Sequence, residues 1–295
     1  MADASTELTP GRFYNLTSPV TMAAGHQLTI PATTTVMCRA GSAAAGWYGI
    51  ALSDRCGIHG SGVIRSDSTD RTSVYGLLYG DNADDVTISA GIRLQHSPSA
   101  GVWVMGGSGL TVDGVSVRET GADGIHISRG ASDFAVTDST FDDVADDAIG
   151  VVSYLSTGAT NHDPCTTGTI TGNTIRNVTV GRGIAIVGGH DVLVDDNSID
   201  GTDQAGIIVS KDPDTHRAAD VQVSNNTVND TGRDMPIGGT DAGIYVSNTD
   251  VASVTGNAIS NTVGDGIELV ASSSTSLSQS GNTFANIGGV NVGTY

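Results

Sequence analysis

The feature that most constrains this chain is a short phrase, glycine followed by hydrophobic, any residue, hydrophobic, which returns along nearly its whole length. It stands at Gly49-Ile50, Gly76-Leu77, Gly101-Val102, Gly124-Ile125, Gly183-Ile184, Gly206-Ile207, Gly243-Ile244, Gly266-Ile267 and Gly289-Val290, with Ala148-Ile149 in the same place. The steps from Gly101 to Gly124, Gly183 to Gly206, Gly243 to Gly266 and Gly266 to Gly289 are each 23 residues. A fixed period of this size means stacked units, none of which can bury its apolar face alone. One unit reads Ile184-Ala185-Ile186, Val192-Leu193-Val194, Asn197-Ser198-Ile199. Strand alternation sends the outer members of each triplet inward and the middle one outward. Three short strands per unit with no helical period predict an all-β fold, a single-stranded right-handed parallel β-helix of about ten coils. A leucine-rich repeat would need Leu-x-x-Leu-x-Leu, which is absent, and a sandwich would not repeat so regularly.

Asn173, Asn197, Asn226, Asn257 and Asn282 share one place in the unit. Amides stacked at the ~4.8 Å strand spacing hydrogen-bond along the ladder, which is a structural role. Residues 1–40 precede the first clear coil and are expected to form an N-terminal cap and first turn, leaving 41–295 as the helix. Two steps break the period: Ala148 to Gly183 is 35 residues and Gly206 to Gly243 is 37. They place insertions near 153–166, 211–219 and 230–240, all flanking one face, where added loops build binding sites. The chain ends soon after its last repeat, so its C-terminal core needs covering by its own last residues, by a homo-oligomer or by further sequence.

The outward members of the Gly-Ile-x-Ile strands are expected to form a row on that face. The row runs Ala51, Leu78, Trp103, His126, Gly150, Ala185, Ile208, Tyr245, Glu268 and Asn291. Trp103 and Tyr245 bracket the small residues Gly150 and Ala185, a groove suited to a sugar chain. At the row's centre, Asp123 precedes Gly124-Ile125-His126-Ile127, and Asp146-Asp147 precede Ala148-Ile149 one repeat later. Three carboxylates brought together cannot all ionise, so one keeps a proton near neutrality and can act as an acid while another serves as base. His126 is placed to orient or relay protons, and Arg182, at the position of Asp147 in its own unit, to bind a substrate hydroxyl or carboxylate. The competing reading is that each Asp is a turn residue, as Asp-Gly pairs at Asp113-Gly114 and Asp265-Gly266 suggest.

A formal charge of −19, with Lys211 the only lysine, excludes nucleic acid as a partner. No apolar run approaches the ~20 residues that cross a bilayer, so no membrane partner is expected. Met1 to Ser5 lack signal-peptide features. An extracellular protein whose signal has been removed is favoured over a cytoplasmic one. Cys38, Cys56 and Cys165 are odd in number and lack metal-type spacing. A Cys38–Cys56 bridge and three buried free thiols both satisfy that arithmetic. No cofactor is expected, Ca²⁺ being the one ion an acidic cluster would suit.

From Gly60 to Lys211 the motifs resemble the polygalacturonase family of β-helical glycoside hydrolases, family 28. Gly60-Ser61-Gly62-Val63-Ile64 is similar to its glycine-rich segment and His96-Ser97-Pro98 to its Asn-Ser-Pro. Ala122-Asp123-Gly124-Ile125 resembles Asn-Thr-Asp-Gly, and Asp146-Asp147-Ala148-Ile149 resembles Asp-Asp-Cys-Ile. The resemblance implies inverting hydrolysis, with Asp147 or Asp146 as general acid and the remaining pair holding water. Gly181-Arg182-Gly183 stands where the family has Gly-His-Gly, and Ile208-Val209-Ser210-Lys211 where it has Arg-Ile-Lys. Those basic residues hold a galacturonate carboxylate in the family, so a neutral or differently charged glycoside is expected here. The sequence thus points to a glycosidase with Asp123, Asp146 and Asp147 as catalytic residues. Trp103, His126, Arg182, Lys211 and Tyr245 are expected to bind its carbohydrate substrate. The alternatives are a lyase or epimerase on the same scaffold, and a non-catalytic glycan-binding adhesin.

Overall fold

The computed structural model describes residues 4–40, 46–68, 75–234 and 240–295. Each turn of the chain contributes one strand to each of three parallel 11-stranded sheets. One coil, for example, gives Ser132–Thr137 to the first sheet, Thr140–Val144 to the second and Ile149–Val152 to the third. The fold is the right-handed parallel β-helix that the period predicts. It has one coil more than the ten or so expected, because the first residues already pair in the sheets. Ser5–Glu7, Phe13–Leu16 and Val20–Thr21 lie in register against Gln27–Ile30, Thr35–Cys38 and Tyr48–Leu52.

The inward members stack into one continuous apolar column. In the third sheet Ile125, Ile127, Ile149, Val151, Ile184, Ile186, Ile207 and Val209 are fully buried, each beside its counterpart one coil away. The repeated glycine has a steric cause. A Cβ on Gly124 would lie 2.4 Å from the Ala148 carbonyl oxygen, and one on Gly183 2.6 Å from that of Gly206. The corner before each third-sheet strand therefore has little room for a side chain.

The acidic composition also follows from backbone geometry. Asp133, Asp138, Asp143, Asp191, Asp196, Asp220 and Asp230 all have positive φ between 48° and 58°. Asp and Asn tolerate the left-handed region better than other residues with a Cβ. Much of the aspartate is thus corner chemistry. The asparagine ladder forms as expected: Asn173, Asn197, Asn226 and Asn257 each donate an amide N–H to Oδ1 of the next, at 2.9, 2.9, 3.0 and 3.0 Å, ending on Asn282.

The outward row differs from expectation at two places. Tyr79, not Leu78, aligns with Trp103, and Gly293, not Asn291, aligns with Glu268. Gly76 pairs with Ala100 rather than with Gly101, so the phrase there sits one residue out of frame and Leu78 turns into the core. The last strand is Val292–Thr294, placed after the Gly289-Val290 phrase. The three cysteines are unpaired and buried, so no Cys38–Cys56 bridge forms.

The insertion at 153–166 carries a small antiparallel pair, Ser156–Thr157 with Thr160–Asn161. It is pinned to the 211–219 insertion by the Tyr154–Thr215 bridge and by the Leu155 N–H donating to the Asp214 carbonyl at 2.8 Å. Of the 230–240 insertion, residues 235–239 lie outside the described residues. No helix among the described residues is long and apolar enough to cross a membrane.

Candidate active site

Asp123 and Asp147 occupy the same corner in successive coils, since the Gly124 N–H donates to the Asp147 carbonyl at 2.9 Å. Asp146 precedes Asp147 on the same corner. One carboxylate oxygen from each of the three lies within 4.8 Å of the others. None of the three is among the positive-φ residues, so the site acids do not do the corner work of the positive-φ aspartates. Asp113 and Asp265, the turn residues they were compared with, lack positive φ as well, so the turn reading stands beside the catalytic one. One contact supports it: Asp147 Oδ1 accepts the Arg182 backbone N–H at 2.9 Å, as Asp265 Oδ1 accepts that of Val290 at 2.9 Å. One oxygen of Asp147 thus also fastens the next coil.

Gly150 keeps the space open. A Cβ there would stand 3.1 Å from Asp123 Oδ2 and 3.7 Å from Asp147 Oδ2. Arg182 enters from the following coil, its Nη2 donating to Asp147 Oδ2 at 3.0 Å and its Nε 2.9 Å from Oδ1. Burial first, with the charges of Asp123 and Asp146 adding to it and Arg182 opposing, raises the Asp147 carboxyl to about 7. Asp147 is thus poised to hold a proton near neutrality. Burial works against the charge of Arg182, but Asp147, Asp146, Asp123 and Asp212 raise its pKa on balance.

His126 projects from the strand that follows Asp123, and its Nδ1 meets Asp123 Oδ2 at 2.5 Å. Its other nitrogen, Nε2, is buried without a partner, as is the neighbouring Trp103 Nε1–H. The two rings lie 4.3 Å apart. With Nδ1 protonated toward Asp123, His126 presents an acceptor and Trp103 a donor, a pair that matches a hydroxyl group.

These residues line a cavity of about 200 Å³ together with Ala122, Val152, Tyr154, Val187 and Asp212. Asp146 and Asp212 are its more exposed acids, and Asp123, Asp147 and His126 its buried polar groups. Of the expected site residues, Asp123, Asp146, Asp147, Trp103, His126 and Arg182 meet here. Lys211 and Tyr245 do not line the cavity. Lys211 leaves that place to its neighbour Asp212, and Tyr245 packs instead on the apolar group Val152, Ala185, Val187 and Ile208. The expected open floor is buried at both places: Ala185 lies in the group that Tyr154 covers, and Gly150 lies against the Asp123 and Asp147 carboxylates. Tyr154 was legible only as a residue of the 153–166 insertion. Burial first, then the charges of Asp123, Asp214 and Asp212, pushes its hydroxyl up to about 12.

Sequence reasoning also missed a stack of tyrosines beyond Trp103. Tyr75 meets Trp103 edge-on at 5.6 Å, Tyr79 stacks on Tyr75 at 4.3 Å, and Tyr48 on Tyr79 at 5.2 Å. A larger cavity of about 580 Å³, lined in part by His96, Glu119 and Asp143, borders the same corners on the second-sheet side. Its His96 and Glu119 pair with each other at 2.6 Å, so they offer less chemistry than the acids of the smaller one.

A family description, "right handed beta helix region", matches residues 41–214 and 156–286. The chain belongs to the right-handed β-helix family. No curated sequence matches it. Among solved structures, a family 87 α-1,3-glucanase catalytic unit from Streptomyces thermodiastaticus strain HF3-3 superposes with a TM-score of 0.70 at 18% identity. That match covers 100% of this chain and 63% of the glucanase unit. A family 28 exopolygalacturonase from Yersinia enterocolitica gives 0.58 at 13% identity, covering 99% of this chain and 73% of that one. An alginate lyase from a Paenibacillus species gives 0.67 at 18%, covering 92% and 93%. A surface adhesin of Streptococcus pneumoniae shares the fold as well, with a TM-score of 0.65 at 11% identity, covering 99% and 86%. At these identities the likeness is one of fold, and function must be argued from the site.

Proposed function

We propose that this β-helix is a glycoside hydrolase acting on a neutral polysaccharide at the cavity of Asp123, Asp146 and Asp147. The observation that carries the reading is the cluster of three carboxylates, two of them buried, in which the Asp147 carboxyl is raised to about 7. Asp147 protonates the leaving oxygen. Asp123, fixed by His126, acts with Asp146 on water or on the sugar carbon. The unpaired Trp103 N–H and His126 Nε2 would seat a sugar hydroxyl. Arg182 is committed to Asp147 and is not free to clamp a uronate carboxylate, which favours a neutral sugar over galacturonate. Two of the glucanase structures carry aspartate-to-alanine substitutions 24 positions apart. Asp123 and Asp147 have the same separation.

The oxygens of the cluster lie closer than the ~6.5–9.5 Å typical of inverting pairs. That bound is on one oxygen from each residue and leaves retention and inversion both open, whereas the family 28 resemblance implies inversion; the anomer of the first product, read by NMR, decides between them. Ca²⁺ takes six to eight oxygen ligands, and here Arg182 already engages both oxygens of Asp147. The cluster therefore fits a metal poorly.

A second reading, a lyase on a uronate polymer, draws support from His126, whose Nε2 is unpartnered in the same cavity, and would require Arg182 to turn from Asp147 to the uronate carboxylate. The test is to incubate wild type and Asp147→Asn with α-1,3-glucan, other neutral glycans, polygalacturonate and alginate. New reducing ends are measured alongside ultraviolet absorbance. Reducing ends without absorbance, lost in the variant, support the hydrolase. Absorbance supports the lyase. Silence across the panel overturns both in favour of a binding module.

A further inference from the structure

Resting on that reading, the structure assigns a mode of attack: the site is a pit that admits only the end of a glycan, so cleavage proceeds from a chain terminus. A polymer bound internally must cross the site and leave on both sides. Along the helix axis both sides are walled. Toward the N-terminal coils stands Trp103, its ring 4.3 Å from that of His126 and backed by Tyr75. Toward the C-terminal coils stands Tyr154, its ring 6.2 Å from that of His126. It is held by the bridge to Thr215, and the His216 N–H donates to the Ser153 carbonyl at 2.9 Å.

The cavity reaches Val152 and Val187, and the sheet face that would floor a groove beyond them is sealed at Ala185, 0% exposed, and Ile208, 8%. The space between the walls is about 200 Å³, below the ~300 Å³ at which drug-sized sites begin. It accommodates a terminal sugar, and its open side is the corner at Gly121-Ala122 and Ala145-Asp146, beyond which the cavity of about 580 Å³ can take the rest of the chain. The uninterrupted coils would present an open sheet face. The 153–166 and 211–219 insertions are what turn that face into a pit.

The test has two arms. In the first, the polymer that wild type cleaves is followed by product size and by viscosity. One short saccharide from the earliest times, with viscosity falling slowly, is expected. A spread of intermediate fragments with early viscosity loss would overturn the inference while leaving the hydrolase reading intact. Tyr154→Ala, which removes one wall, should add intermediate fragments.

The second arm does not need turnover. Asp147→Asn is titrated calorimetrically with α-1,3-glucan oligosaccharides of increasing length and with the parent polymer, then with the corresponding oligogalacturonates. In a pit, binding capacity follows the molar concentration of chain ends, so equal masses of shorter chains saturate more protein. Capacity that follows total sugar mass means internal binding and overturns the inference. End-dependent binding without hydrolysis by wild type would uphold the pit and sink the enzyme. No binding by any member would sink both.

Discussion

Replacing Asp147 by Asn should stabilise the protein while removing its activity, and the gain should depend on pH in a defined direction. The folded Asp147 carboxyl is raised to about 7, against an ordinary value of ~3.9. The sign follows from linkage. Below the unfolded value both states hold the proton and the residue is neutral in its effect. As pH rises from ~3.9 toward 7 the unfolded chain releases a proton that the folded one retains, and stability is lost. Roughly three units at 1.36 kcal/mol each give a cost of ~4 kcal/mol above neutrality.

Asparagine removes that cost but places an amide N–H₂ against the Arg182 guanidinium, a mismatch worth ~1–3 kcal/mol. Arg182 keeps Asp146 and Asp123 as neighbouring charges, so it is not stranded. The net expectation is ~1–3 kcal/mol of stabilisation at pH 8, reversing to ~1–3 kcal/mol of destabilisation near pH 4, where the ionisation cost is gone and only the mismatch remains. At ~2–4 °C per kcal/mol this is a readable shift in melting temperature. Scans of both proteins at matched rates, in steps from pH 4 to pH 8, test it. A variant less stable than wild type at pH 8, or a difference constant with pH, would refute the burial argument for Asp147 as the protonated acid.

Loss of Asp147 as general acid should lower kcat/KM by ~10²–10⁴-fold on whichever glycan is cleaved. In wild type, activity should fall as pH rises through about 7, where Asp147 loses its proton. Arg182→Gln should move that falling limb upward by ~1–3 pH units, since the guanidinium now holds the carboxyl down; an unmoved limb would take Asp147 out of the acid role. Asn226→Leu should cost ~2–6 kcal/mol in urea unfolding, because the Asn197 N–H and the Val194 carbonyl lose their buried partner. Cys38, whose thiol burial pushes up to about 12, should resist thiol reagents at pH 8 in the folded protein and react on unfolding.

How much of this was legible in the sequence depended on whether a position obeyed the period. Ile125, Ile127 and their counterparts fix the inward column, and the regular asparagines fix their ladder, because every coil imposes the same demand. Asp123 and Asp147 could be aligned for the same reason. Leu78 and Asn291 were misplaced where a strand slipped by one or two residues against the glycine phrase. In a strand a one-residue slip moves a side chain from surface to core. Tyr154 and Asp212 were invisible because insertions have no period to read. The Tyr48–Tyr79–Tyr75 stack depends on the frame around Gly76, the place where the phrase misleads.

The division between periodic and aperiodic residues also explains the chemistry. A regular coil can bring acids together, but it leaves them on an exposed face where water would hold them near ordinary carboxylate values. Asp203 lies outside this site: it is partly buried and raised by that burial, with Arg233 opposing. Asp147 differs by being buried at 4% exposure beside two further carboxylates. Arg182 lies against both of its oxygens, and Trp103 on one side and the pinned insertion with Tyr154 on the other wall the cavity it faces. The repeat thus supplies the carboxylates and their spacing, and the interruptions supply the dry surroundings that make one of them an acid at neutral pH. Shortening the 153–166 loop should therefore lower the pKa of Asp147 as well as open the pit. The falling limb of the pH profile would then move down as the product range broadens, and movement of one without the other would separate the two roles assigned to that wall.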